Sequence, residues 1–153
     1  MAELEAGQAP EITFEGSNPI LRVKDVTASI DYYVNVLGFK VTWQTPLFAC
    51  VSRGRVGLFL SQGDQGHPGS WVWIGVSDCE ALCAEYRRKG ARIRHEPSNY
   101  QWALEMQVED LDGNILRMGS DQKEGAPIGE WLDMYGDRWT HGENGEWTKV
   151  EKE

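Results

Sequence analysis

Val108-Glu-Asp-Leu-Asp-Gly-Asn-Ile-Leu-Arg-Met-Gly119 is the stretch around which the rest of the chain is organised. A strand runs into Asp110-Leu-Asp-Gly-Asn114, where Gly113 and Asn114 can take the positive φ of a tight turn. Ile115 to Met118 read as the returning strand, so the stretch is a β-hairpin. An earlier stretch, Cys50-Val-Ser-Arg-Gly-Arg-Val-Gly-Leu-Phe-Leu60, has the same shape, with its turn around Gly54.

Two hairpins of one design suggest a repeat. Sliding the chain by 53 lays Leu21, Val23, Asp25 and Tyr33 on Ile74, Val76, Asp78 and Tyr86. In the first copy Ile20 to Val23 reads as a strand. Val26, Ile30, Tyr33, Val34 and Leu37 share a helix face that Gly38 ends, and Phe39 to Trp43 is a second strand before the hairpin. The second copy follows a Gly/Gln/Pro-rich connector, Ser61 to Ser70. It has a helix over Asp78 to Lys89, opened by a Ser77/Glu80 capping box and buried through Cys79, Leu82, Cys83 and Tyr86, then a strand from Ala91 to His95. The fold class is α+β: two β-α-β-β-β modules, residues 18–62 and 70–120, after a flexible segment 1–17.

Residues 121–153 form a C-terminal extension. Ile128, Trp131, Leu132 and Tyr135 predict a short helix, and Glu143-Asn-Gly-Glu146 a type I′ hairpin. The extension carries three of the seven tryptophans. A disordered tail is rarely so aromatic, so this one is expected to dock on its own domain or on a partner subunit.

Charge excludes one class of partner. The formal net charge of −9 lies wholly in the ends: residues 1–17 and 121–153 sum to −9, while 18–119 balances eleven acids against eleven bases. No basic stripe offers itself to nucleic acid. No apolar run approaches the ~20 residues of a membrane span. The N-terminus lacks the regions of a signal peptide, and three cysteines, an odd number, read as core residues in a reducing compartment, so the cytoplasm is expected.

Ile20-Leu-Arg-Val-Lys-Asp-Val with Tyr32-Tyr33 and Leu37-Gly-Phe39, followed by Asp110-Leu-Asp-Gly-Asn-Ile-Leu-Arg-Met-Gly119, resembles the vicinal oxygen chelate superfamily. That superfamily contains glyoxalase I, extradiol dioxygenases and bleomycin-resistance proteins. The resemblance spans residues 18–120. It implies two modules whose curved mixed sheets form a cup around the site, and dimers in many members. It also implies a divalent metal held at the start of each module's first strand and in its last strand. Carried over by the repeat, these positions are Asn18 and Trp71, with Leu58 (or Phe59 after a register slip) and Arg117. Leu58 and Trp71 offer no donor and Arg117 brings a permanent cation, so no metal or other cofactor is expected. His67, His95 and His141 read as surface histidines.

Strand alternation puts Leu21, Val23, Val72, Ile74 and Val76 under the helices, and Ile20, Arg22, Trp71 and Trp73 on the concave face. Trp43, Phe48, Phe59 and Trp102 add walls. These aromatics either pack the sheet or a dimer interface, or form a stacking site for a planar molecule. Arg117 either anchors an anion there or pairs with Glu105. The expected site is Trp71, Trp73, Trp102, Phe48, Phe59, Arg117 and Asn18. The expected function is metal-free binding of an aromatic or amphipathic small molecule by a homodimer of the bleomycin-resistance type. A lyase, isomerase or dioxygenase of the superfamily with substituted ligands, and a protein-interaction module built on the extension, are the alternatives. No catalytic residue stands out: Gly-x-Ser-x-Gly, Gly-x-Gly-x-x-Gly and Cys-x-x-Cys are all absent.

Overall fold

The protein is described by a computed structural model covering residue 7 and residues 9–153. Most of the expected flexible segment's first half thus lies outside the described residues. From 9 to 19 the chain forms no helix or strand, and Ile12 and Phe14 are exposed.

Each module folds as a four-stranded mixed sheet under one helix. The first comprises β1 (Ile20–Arg22), α1 (Val26–Asn35), β2 (Lys40–Gln44), β3 (Phe48–Arg53) and β4 (Val56–Ser61), in sheet order β1-β4-β3-β2. The second comprises β5 (Trp71–Gly75), α2 (Cys79–Lys89), β6 (Arg92–Asn99), β7 (Leu104–Glu109) and β8 (Ile115–Ser120), in the order β5-β8-β7-β6. In both, the first strand pairs parallel with the last and the remaining pairs are antiparallel.

Local chemistry fixes the helices. Asp25 and Asp78, equivalent in the repeat, cap them by accepting the backbone N–H of Ala28 and Ala81. The expected Ser77 cap is thereby corrected: Asp78 has the extended backbone and the reach. α2 ends on Gly90, whose φ of 75° is the left-handed conformation that favours glycine. On α1 the buried face is turned toward Ser29 and Tyr32, because Tyr32 Oη reaches across to the Glu109 carbonyl at 2.9 Å.

One core runs through both modules, from Leu21, Tyr33, Leu37 and Leu58 to Ile74, Tyr86, Met106 and Leu116. The opening hairpin is its hinge point. Asp110, fully buried, accepts Tyr33 Oη and Asn114 Nδ2 on one oxygen and the Asp112 and Asn114 N–H groups on the other. Only Gly113 takes positive φ in this turn; Asn114 does not, because its side chain is held by Asp110 and by the carbonyl of Arg22.

The extension contains the expected hairpin, β-strands 138–141 and 147–149 paired antiparallel, but not the expected helix. It is a three-stranded antiparallel meander, β9 (Trp131–Leu132), β10 (Arg138–His141) and β11 (Trp147–Lys149). The expected helix fails for identifiable reasons. Gly129 N–H is bonded to the Asn99 carbonyl, and Asp133 takes the N–H groups of Tyr135 and Asp137 on its own side chain, which closes a turn where a helix would continue. The Gly142 to Glu146 turn places only Gly145 at positive φ, so it is not type I′. The same pattern, a glycine at positive φ one residue before the closing pair, recurs at Asp133–Asp137 and Asp110–Asn114.

Candidate functional site

The concave face of the second sheet is built from residues out of phase with the core. Leu104, Met106 and Val108 of β7 point to α2's side, and Glu105 and Gln107 point away from it. From β5, Trp71 and Trp73 share that face, and from β8 so does Arg117, the register partner of Trp73 and of Gln107. Trp73 is 55% exposed, and its indole lies over two glycines paired across the ladder: a β-carbon on Gly75 or Gly119 would stand 3.2 or 3.1 Å from the ring.

Glu105 is the electrostatic centre of this face. It is 1% exposed yet fully engaged: Oε1 accepts the indole N–H of Trp73 and of Trp102, each at 2.9 Å. Arg117 Nε donates to both carboxylate oxygens, at 3.2 and 2.8 Å. Of the two roles open to Arg117 in the sequence, pairing with Glu105 is therefore realised. The pair leaves a buried carboxylate compensated, which is the condition for burying one at all.

The extension docks on this same face. Trp131 packs against Trp71 and Tyr100, and the Arg117 guanidinium lies 4.4 Å from its ring centre. Gln107 Nε2 donates to the Leu132 carbonyl at 3.0 Å, and Tyr100 Oη to that of Glu130 at 2.7 Å. Arg94 bridges Gln107 Oε1 and the Asp133 carbonyl while lying over Trp71. Burial by this layer pushes the Tyr100 hydroxyl up to about 12. It also corrects His95: expected at the surface, it is 9% exposed, and desolvation first, then Arg138 and Arg94, lowers its pKa below the usual 6.5.

The expected site residues fall into three places. Asn18, Trp71 and Trp73 line a cleft of about 590 Å³ between β5 and the first module's β4, with the segment that leads into β1. Trp102 and Arg117 line a bowl of about 490 Å³ with Trp131, Trp139, Trp147 and Asp133. Phe48 and Phe59 pack with Trp43 on the first sheet's face away from α1, with ring centres 5.5 to 5.6 Å apart. A larger cavity, about 750 Å³, lies elsewhere, between the β3–β4 turn and α2, where Arg53 and Glu85 pair at 2.7 Å across the modules. Gln107, Arg94 and Tyr100 went unread in the sequence. The signal for the first was two polar residues alternating with apolar ones in a central strand.

The metal implied by the resemblance does not fit the donors. Trp73 pairs with Arg117 and its equivalent Ile20 pairs with Phe59, so Phe59 is the counterpart of Arg117 and Leu58 belongs to the core. Asn18 Nδ2 donates to the Gly57 carbonyl. Asparagine, phenylalanine, tryptophan and arginine make no cation site, and the nearby carboxylate, Glu105, is saturated by nitrogen donors. Among the described residues no group of three His, Cys, Asp or Glu could hold a metal ion.

The model of the glyoxalase/bleomycin resistance protein/dioxygenase superfamily matches residues 16–118. No curated protein sequence matches. Among solved structures, a bleomycin-binding protein from bleomycin-producing Streptomyces verticillus, complexed with copper(II)-bleomycin, is 27% identical, with a TM-score of 0.64 over 73% of this chain and 100% of its own. The antibiotic-binding protein TnmS3 of Streptomyces sp. CB03234 is similar at 20% identity and a TM-score of 0.64, over 73% and 100%. A bleomycin resistance determinant encoded on transposon Tn5 follows at 19% and 0.63, over 72% and 100%.

Proposed function

The chain belongs to the glyoxalase/bleomycin resistance protein/dioxygenase superfamily, and we propose that within it the chain is a metal-free binder of a small aromatic or amphipathic molecule. The observation that carries this reading is the donor set. At the places where the superfamily's enzymes hold a metal stand Asn18, Phe59, Trp71 and Arg117, residues suited to stacking and to an anionic or carbonyl group rather than to a cation. Likeness to a copper(II)-bleomycin complex at 27% identity makes bleomycin the first probe.

In this reading the ligand lies along Trp71, Trp73 and Trp102 beside Arg117, with Phe48 and Phe59 as a second aromatic wall. Exposed Trp43 marks the first sheet's face away from α1 as the surface that a second copy covers in a homodimer. Among the described residues no helix is long and apolar enough to cross a membrane. The three cysteines are free, which supports a cytoplasmic location in this reading.

The test is calorimetric titration with bleomycin of the wild type and of Trp73→Ala. The substitution weakens binding by roughly 1–3 kcal/mol, the scale of a lost aromatic hot spot, while Tm falls less than for a core truncation. Unchanged affinity in the variant would refute the placement.

A further inference from the structure

Four indoles surround Arg117, and three of them lie beyond residues 16–118, the part of the chain that the family model matches. Trp131, Trp139 and Trp147 come from the three strands of the C-terminal sheet and Trp102 from the turn before β7. Their bowl of about 490 Å³ is within the range in which proteins hold small ligands.

Arg117 is the cation of the bowl and Asp133 its acid. The Arg117 guanidinium carbon is 4.4 Å from the Trp131 ring centre and 6.0 Å from that of Trp102, so the place a bound cation would take is filled by the protein's own. Arg117 spends only Nε on Glu105; among the described residues neither terminal nitrogen has a hydrogen-bond partner, and 30% of the side chain is accessible. Asp133 keeps its negative charge, but its oxygens are turned onto the protein's own donors, whose hydrogen bonds, Trp139's first, hold its pKa below the usual carboxylate range. Its carboxylate is taken by Trp139 Nε1 at 2.8 Å and by the N–H groups of Tyr135 and Asp137 at 2.9 Å.

We propose that this bowl is a subsite for a planar aromatic anion, whose carboxylate or sulfonate meets the open edge of Arg117 while its ring lies among Trp102, Trp139 and Trp147. The inference deepens the reading above and rests on it. A formal net charge of −9 repels anions at long range, so the recognition has to be local: two N–H donors already fixed by the Glu105 pair, against rings already packed. Preorganisation of this kind reduces the ordering cost on binding.

Calorimetric titration of the full chain with 2-naphthoate and with its neutral isostere 2-naphthamide decides the matter. Naphthoate binds about tenfold tighter, the value of one charge-assisted hydrogen bond. Trp147→Ala, in an exposed turn-flanking strand, weakens both probes alike. The charge-balanced double variant E105Q/R117Q abolishes the preference and keeps naphthamide binding; if it does not fold, the two probes and Trp147→Ala still give the answer. Equal affinity for the two probes, or affinities untouched in Trp147→Ala, would overturn the subsite. A chain that binds bleomycin but neither naphthalene probe overturns the subsite and leaves the broader reading standing. Preference for naphthoate without bleomycin binding keeps the subsite and narrows the ligand class.

Discussion

Trp73 rests its indole on Gly119, so closely that a β-carbon there would stand 3.1 Å from the ring and equally close to Glu105 Cγ. The glycine is what lets the indole N–H turn onto Glu105. Gly119→Ala therefore lifts Trp73 off its carboxylate. Overpacking of this kind costs about 1–3 kcal/mol. Urea denaturation measures the loss, and bleomycin affinity falls with it.

Glu105 and Arg117 form a pair that is buried on one side and partly solvated on the other. Arg117→Met leaves a buried carboxylate held only by two indoles and destabilises the protein by about 3 kcal/mol. Adding Glu105→Gln removes the orphaned charge. The double variant then loses clearly less than the two single losses added together, a coupling that a double-mutant cycle in urea reads directly.

Removing residues 121–153 exposes Trp71 and Tyr100 and strips Gln107 of its Leu132 carbonyl. The truncated chain melts lower by roughly 5–10 °C, the shift that about 2–3 kcal/mol produces in a domain of this size. In the intact chain the amides of Gly129 and Asp133 exchange slowly, since both are bonded to backbone carbonyls; fast exchange at both would show an undocked tail.

His95 sets a pH dependence. Its pKa in the folded chain lies below 6.5, by burial and by Arg138 and Arg94, which outweigh Glu130; Glu96 contributes its carbonyl to Nδ1. A base with a depressed folded pKa is bound to more protons when unfolded. Its stabilising contribution is thus present above pH 6.5 and is lost as pH falls through the folded value. Tm measured between pH 7.5 and 5 falls by less in His95→Gln than in the wild type.

The module plan was legible because it is written twice. Asp25 and Asp78, Tyr33 and Tyr86, and the two glycine-centred hairpins occupy equivalent places, and strand alternation placed Leu21, Val23, Ile74 and the two cup tryptophans on their faces. The extension was misread because Ile128, Trp131, Leu132 and Tyr135 fit a helical period. What overrides that period is non-local: Asn99 binding Gly129, and Gln107 binding Leu132. The closed ring of Glu105 donors was half visible, as an acid near Arg117. That Trp73 also reaches it depends on the missing β-carbons of Gly75 and Gly119, and that Trp102 does so depends on the turn before β7; no periodicity announces either.

Metal independence is the central claim, and thermal unfolding tests it most directly. The protein is compared as purified and after exhaustive chelation, each with and without metal-free bleomycin. The account predicts one Tm for both preparations and the same rise with bleomycin in both, since ligand that binds only the folded state must raise it. A Tm lowered by chelation, or a bleomycin shift that appears only when a divalent metal is restored, would contradict it.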